Sequence, residues 1–231
     1  MNVIPLVKRI VLLSLALSAC ALLAAQDRDA VMAQINLTKQ FLLKQRLAPD
    51  YRSSIRESIL AYENSLDTHC KDVALDFDSA DVRDRILALL ETDDKGVAVA
   101  GAWRESIPGT ACNEKRKFNV QVGVTRQGLR FTATFPGEAD GDLELQHDTL
   151  KNIEMDLQIL RLVTKKSCHL EVIDTHLVGQ RATLQDNGLL SQWKELWDVR
   201  ACGTVYAVPI TFVPDKSGTS ISVATSAIHA E

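Results

Sequence analysis

The sequence predicts an α+β fold of two tandem repeats, each one helix followed by a four-stranded antiparallel meander, preceded by an N-terminal helix. Three observations predict it. The pattern Trp-x-Glu, five residues, Ala-Cys runs from Trp103 to Cys112 and again from Trp193 to Cys202, 90 residues apart. A second register, offset by 98, matches Ile55, Ile59, Tyr62, Cys70 and Asp76 to Ile153, Leu157, Leu160, Cys168 and Asp174. In both halves the apolar period passes from helical to alternating in the same order, as arrays of supersecondary units do.

The elements follow in turn. Val31, Ile35 and Leu42 predict a helix within 27–47, and Pro49 interrupts it before a second helix carrying Ile55, Ile59, Tyr62 and Leu66 on one face. Val73 to Phe77 alternates like a short strand. The eight residues by which the two offsets differ fall next, where Ser79 precedes Val82, Ile86 and Leu89 at helical spacing, and an inserted helix is expected there. The turn Asp93-Asp94-Lys95-Gly96 leads to strands at 97–107, 117–125 and 128–135. The second repeat reads as a helix at 145–163 and strands near 169–178, 191–201, 204–213 and 218–226. The boundaries are therefore 1–25 for a signal peptide, 27–49 for the N-terminal helix, 50–142 for the first repeat and 143–231 for the second.

The N-terminus reads as a secretion signal, with Lys8 and Arg9 ahead of an uncharged apolar stretch from Ile10 to Ala25. Within it, Leu17-Ser18-Ala19-Cys20 resembles the lipobox of bacterial lipoproteins. That resemblance covers four residues and implies cleavage after residue 19, lipid on Cys20 and, with Ala21 rather than aspartate following, placement at the outer membrane. The competing reading is cleavage after Ala25, which releases a soluble periplasmic protein. Either route leads to an oxidising compartment, where Cys70, Cys112, Cys168 and Cys202 are expected to form disulfides. The repeat favours Cys70 with Cys112 and Cys168 with Cys202, since the start of one strand faces the end of its antiparallel neighbour.

Composition narrows the function classes. Hydrophobic residues make up 46% and charged residues 24% of the 231, and loss of Lys8 and Arg9 moves the formal net charge from -4 to -6. The only dense basic run is Lys115-Arg116-Lys117, so a nucleic-acid partner is disfavoured. Strand parity puts Trp193, Glu195, Trp197, Val199 and Ala201 on one face, and Trp103, Glu105, Ile107 and Ala111 on its counterpart. On that face the tryptophans are expected as core anchors, with each glutamate accepting a backbone or indole N–H. The sharper reading is a pair of carboxylates with raised pKa acting on a substrate.

Other motifs carry less. Ser191 to Lys194 and Lys216-Ser217-Gly218 match two elements of penicillin-interacting enzymes, but too few residues separate them, and Lys216-Ser217-Gly218 reads as a hairpin turn. His69-Cys70 and Cys168-His169 make poor metal sites, since neighbouring strand residues point to opposite faces. Glu138, Asp140, Asp142 and Glu144 lack the glycine and terminal glutamate of a calcium loop and read as a solvated connector. His147, His176 and His229 form no recognisable triad. No catalytic, cofactor or metal residue is assigned. The expectation is a non-catalytic envelope protein, a binding, inhibitory or adaptor module such as an immunity protein against a periplasmic toxin. It would present Trp103, Glu105, Trp193, Glu195 and Trp197, or the groove between repeats, to an envelope protein or cell-wall ligand. The alternatives are an envelope hydrolase using Glu105 or Glu195 with Asp76 or Asp174, and a purely structural lipoprotein.

Overall fold

The computed structural model describes residues 30–66, 72–79, 86–163, 169–183, 185 and 189–231. Helix α1 spans 30–46 and α2 spans Pro49–Ser65, started by the proline whose missing N–H costs nothing at a helix N-terminus. The first sheet holds β1 (Val73–Leu75), β2 (Ile86–Thr92), β3 (Ala98–Ala111), β4 (Glu114–Thr125) and β5 (Gly128–Thr134). Helix α3 (Leu143–Ile159) opens the second unit. Its sheet holds β6 (Leu170–Leu177), β7 (Trp193–Ala201), β8 (Thr204–Asp215), β9 (Gly218–Val223) and β10 (His229–Ala230). All pairings are antiparallel, so the chain is α+β with a helix leading each sheet.

The two central hairpins share a register. Trp103 faces Val122 and Ala111 faces Glu114 across β3–β4, while Trp193 faces Phe212 and Ala201 faces Thr204 across β7–β8. Both turns have two residues, both at positive φ: Cys112 and Asn113 at 50° and 68°, Cys202 and Gly203 at 51° and 85°. That conformation belongs to a type I′ turn, whose twist matches its flanking strands and which favours Asn and Gly. The Ala-Cys pair of each motif thus ends a strand and opens a primed turn. Asp215 accepts the amides of Ser217 and Gly218 and so organises the turn that Lys216-Ser217-Gly218 led us to expect.

Three expectations are corrected. The inserted helix is absent over 86–89, because Ile86–Thr92 forms β2 and pairs with β3 from Ile86↔Trp103 to Thr92↔Ala98; Val82 lies outside the described residues. The physical reason is an open strand edge. β1 covers only Gly109–Ala111 of β3, leaving the rest of that edge unpaired, and the Asp93–Gly96 turn folds β2 onto it, with Asp93 accepting the amides of Lys95 and Val97. β6 spans the matching edge of β7 by itself, and the fifth strand of the second sheet, β10, pairs instead with β8. In α1, Val31 is 46% exposed and the inward residues are Thr38 and Leu42. Thr38 accepts the Leu90 amide at 3.0 Å and Gln34 donates to the Leu90 carbonyl, so polar side chains dock α1 on β2. In α3 the helix ends at Ile159 and Leu160 is 40% exposed, so the third apolar pair of the 98-residue register does not hold.

Two cores result. One joins Leu42, Tyr51, Ile55 and Ile59 to the β3 and β4 faces through Trp103, Ile107, Phe118, Val120 and Val122. The other joins Ile153 and Leu157 to Trp193, Trp197, Val199, Val208, Ile210 and Phe212. Tyr62 of α2 packs against this second core and points its hydroxyl at the Val172 carbonyl, 3.4 Å away.

Candidate functional site

Both Trp-x-Glu glutamates are fully buried, at 0% exposure for Glu105 and 1% for Glu195. Alternation along β3 and β7 turns them inward, and each meets the layer packed above its sheet. Glu195 accepts Trp193 Nε1 at 2.8 Å, Trp197 Nε1 at 2.7 Å and the Asp140 amide at 2.7 Å. Burial pushes its pKa up, against the pull of the Asp140, Trp197 and Trp193 N–H groups. Glu105 accepts Trp103 Nε1 at 3.3 Å and the Tyr51 hydroxyl, and lies 3.5 Å from Arg46 Nε. Burial and the adjacent carboxylate hold the Tyr51 phenol protonated. One motif therefore ties its sheet to α1 and α2, and the other ties its sheet to the segment joining the two units.

That segment, residues 135–142, is not the solvated connector the acidic run led us to expect. Phe135, Pro136, Gly137, Ala139 and Gly141 are buried, and their polar groups are claimed from both sides. Asn119 of β4 donates to the carbonyls of Phe135 and Gly137, and Arg104 of β3 donates to those of Ala139 and Gly141. From β6, Thr175 accepts the Ala139 amide and donates to the Pro136 carbonyl, while its own carbonyl accepts the Glu138 amide. The segment is bonded into both sheets, and burying a backbone is tolerable only with such partners. Its acids diverge. Glu138 lies 3.7 Å from Lys117, Asp140 pairs with Arg181 at 2.6 Å, and Asp142 caps α3 by accepting the Leu145 amide; no cation-binding cluster exists among the described residues.

A cleft of about 480 Å³ opens beside this segment. Arg104, Ser106 and Lys117 line it from the outward face of β3 and β4, Asp140 from the segment, and Arg181, Thr183 and Leu190 from the loop between β6 and β7. A second recess, about 550 Å³, runs under Pro108 and Thr110 to Asp76 and Asp174, and Lys117 borders both. The walls combine hydroxyls and aliphatic surface with charges already engaged within the chain, Arg181 by Asp140, Lys117 by Glu138 and Arg104 by backbone carbonyls, a mixture that suits a polar partner carrying an apolar group. No protein-family model, curated protein or solved structure matches the chain.

The remaining sequence-singled residues fall elsewhere. Trp103, Trp193 and Trp197 are core residues, at 0%, 3% and 0% exposure, and present no binding face. Asp76 organises its own turn by accepting the amides of Asp78 and Ser79. Cys20, Cys70 and Cys168 lie outside the described residues, as does His69. His176 bonds Asp198 at 2.9 Å and sits 4.0 Å from Asp174. Burial alone would lower its pKa, but the Asp198 hydrogen bond and both carboxylate charges outweigh it and hold His176 above the usual histidine range. His147 packs on Phe135 and His229 meets the Ala227 carbonyl, so neither joins it.

The sequence reading missed Arg104, Arg181, Thr175 and Asn119. Arg104 stands where the second motif has the exposed Lys194, and only the placement of the 135–142 segment makes it a buried donor. Arg181, in an irregular loop, carried no periodic signal.

Proposed function

We propose that the protein is a non-catalytic cell-envelope module, built from two copies of a helix-and-sheet unit, that binds an envelope protein or cell-wall ligand in the groove between them. The single observation that carries this reading is that the motif carboxylates are spent on internal donors while the cleft is lined by other residues. A catalytic carboxylate needs contact with substrate, whereas Glu195 holds two indoles and a backbone amide. The hydrolase reading ranks second for that reason. The purely structural reading ranks below the binding reading because a cation-lined cleft runs along the unit boundary.

Duplication is supported by the common register of the two central hairpins and by the matched positive-φ cysteines. In the same reading Cys70 pairs with Cys112 and Cys168 with Cys202. Strands β1 and β6 support it, because Val73 lies across from Ala111 and Leu170 across from Ala201, the residues that precede Cys112 and Cys202. Export, cleavage at the lipobox and attachment of lipid to Cys20 complete the proposal. Among the described residues no helix is long and apolar enough to cross a membrane.

The test is retention of a partner from envelope extracts by the wild-type chain and by Lys117→Glu/Arg181→Glu. The proposal expects a specific protein or peptidoglycan fragment on the wild type that the variant loses while it still unfolds cooperatively, at a melting temperature lowered by loss of the Asp140–Arg181 pair. Equal retention by both, or by neither, contradicts the groove as the site.

A further inference from the structure

We infer that the outward face of α1 lies against an anionic phospholipid surface, so that the envelope module has an orientation on the membrane and not merely a tether to it. The inward face of α1 is settled: Gln34 and Thr38 bond β2, Leu42 enters the core and Phe41 packs edge-on to Trp103. A helix with a 3.6-residue period then turns Met32, Asn36, Gln40 and Leu43 outward, with Leu47 following just past its end. Met32 is 50% exposed, Leu37 43%, Leu43 58% and Leu47 85%. Leu47 is the most exposed large apolar side chain among the described residues, and no described residue covers it.

Charge selects the partner. The 30–46 stretch contains Lys39, Lys44 and Arg46 and no acidic residue, in a chain of formal charge -4. Lys39 and Lys44 are exposed and flank the apolar strip. By contrast α2 contains Asp50, Glu57 and Glu63, and α3 contains Glu144, Asp148, Glu154 and Asp156. An amphipathic helix with lysines beside a leucine strip binds at a lipid–water interface through buried apolar area plus attraction to anionic headgroups. Chain length agrees. Nine residues separate Cys20 from residue 30, and at about 3.3–3.6 Å per extended residue the ten steps between them hold the start of α1 within about 35 Å of that cysteine. This inference rests on the envelope reading above for the source of the bilayer, but the contact itself needs no lipid on Cys20.

The test uses residues 26–231, which contain every described residue and no lipidation site. Co-sedimentation is measured with vesicles of phosphatidylethanolamine and phosphatidylglycerol, and with phosphatidylcholine vesicles as control. The inference expects binding to the anionic vesicles only, weakened by salt, with losses of about tenfold for Leu43→Gln/Leu47→Gln and for Lys39→Glu/Lys44→Glu. Both variants replace exposed side chains, and an unchanged thermal melt verifies folding. No binding, or binding that the variants leave intact, overturns it. A wild-type dimer that Leu43→Gln/Leu47→Gln converts to monomer, without vesicle binding, overturns it in favour of a second copy of the chain. Metabolic lipid labelling of Cys20→Ala against wild type judges the lipoprotein reading separately, so the two can fail independently.

Discussion

Replacing Glu195 with glutamine keeps the shape of the side chain and changes only what it can accept. The carboxylate takes three donors, two indoles and the Asp140 amide, at 2.7 to 2.8 Å. A glutamine oxygen can keep Trp193 and Asp140, both of which bond Oε1. Its NH₂ then faces Trp197 Nε1, donor against donor. Losing one charge-assisted bond costs about 1.5–3 kcal/mol, and stranding buried donors about 1–3 kcal/mol more. The ionised form already carries a burial penalty, shown by its raised pKa, and glutamine relieves that part. The net loss is about 3 kcal/mol, or a fall in melting temperature on the order of 10 °C for a domain of this size. Urea unfolding followed by tryptophan fluorescence reads it directly. If the clash with Trp197 is the cause, Glu195→Gln/Trp197→Phe loses less than the sum of its parts, by about 1–2 kcal/mol. A Glu195→Gln variant within about 0.5 kcal/mol of wild type, or strict additivity, would refute the acceptor role.

Three further outcomes follow from the same geometry. Glu63, Asp174, Glu195 and His176 all have raised pKa values in the folded chain, from ordinary values of 4.5, 3.8, 4.5 and 6.5. A raised group binds more protons folded than unfolded, so stability is highest below its unfolded pKa and falls as pH climbs through its folded one. Urea midpoints should therefore decline from about pH 4.5 toward neutrality, and a midpoint that rises over that range contradicts these assignments. At Gly137, φ is +94° and a Cβ would overlap the backbone of Thr175 and the Asp174 carboxylate, so Gly137→Ala should cost about 3 kcal/mol and open the 135–142 segment to limited proteolysis. Gly123→Ala in β4, where a Cβ meets nothing within 4 Å, should be near neutral and serves as its control. Arg104→Leu strands the carbonyls of Ala139 and Gly141, with an expected loss of about 2–5 kcal/mol by thermal melting.

The parts legible in the sequence are those governed by short periods. Alternation placed Trp103, Glu105 and Ile107 on one face, and Trp193, Glu195 and Trp197 on its counterpart, and the burial of β7 follows that alternation residue by residue. Turn chemistry placed the Asp93–Gly96 and Lys216–Gly218 hairpins. What was not legible depends on partners distant in sequence. Ile86 and Leu89 fit a helical spacing, yet they also belong to the short apolar run Ile86-Leu87-Ala88-Leu89-Leu90 that a strand accepts, and the decision lies in the free edge of β3. The acidic run from Glu138 to Glu144 looks solvated in isolation, and only Asn119, Arg104, Thr175 and Glu195, from four strands of two sheets, make its burial affordable. A sharper turn reading was within reach: Cys-Asn and Cys-Gly directly after an alternating strand are residues that a primed turn accepts.

The central claim is that the motif glutamates build the fold and the groove between the units does the binding. Photo-crosslinking in cells from a residue analogue at Thr183, on the cleft wall, set against one at the exposed Lys151 of α3, tests it most directly. The account predicts a discrete adduct from position 183 that Lys117→Glu/Arg181→Glu abolishes, and none from 151. Adducts from 151 alone, or an adduct at 183 indifferent to both charge reversals, would contradict it.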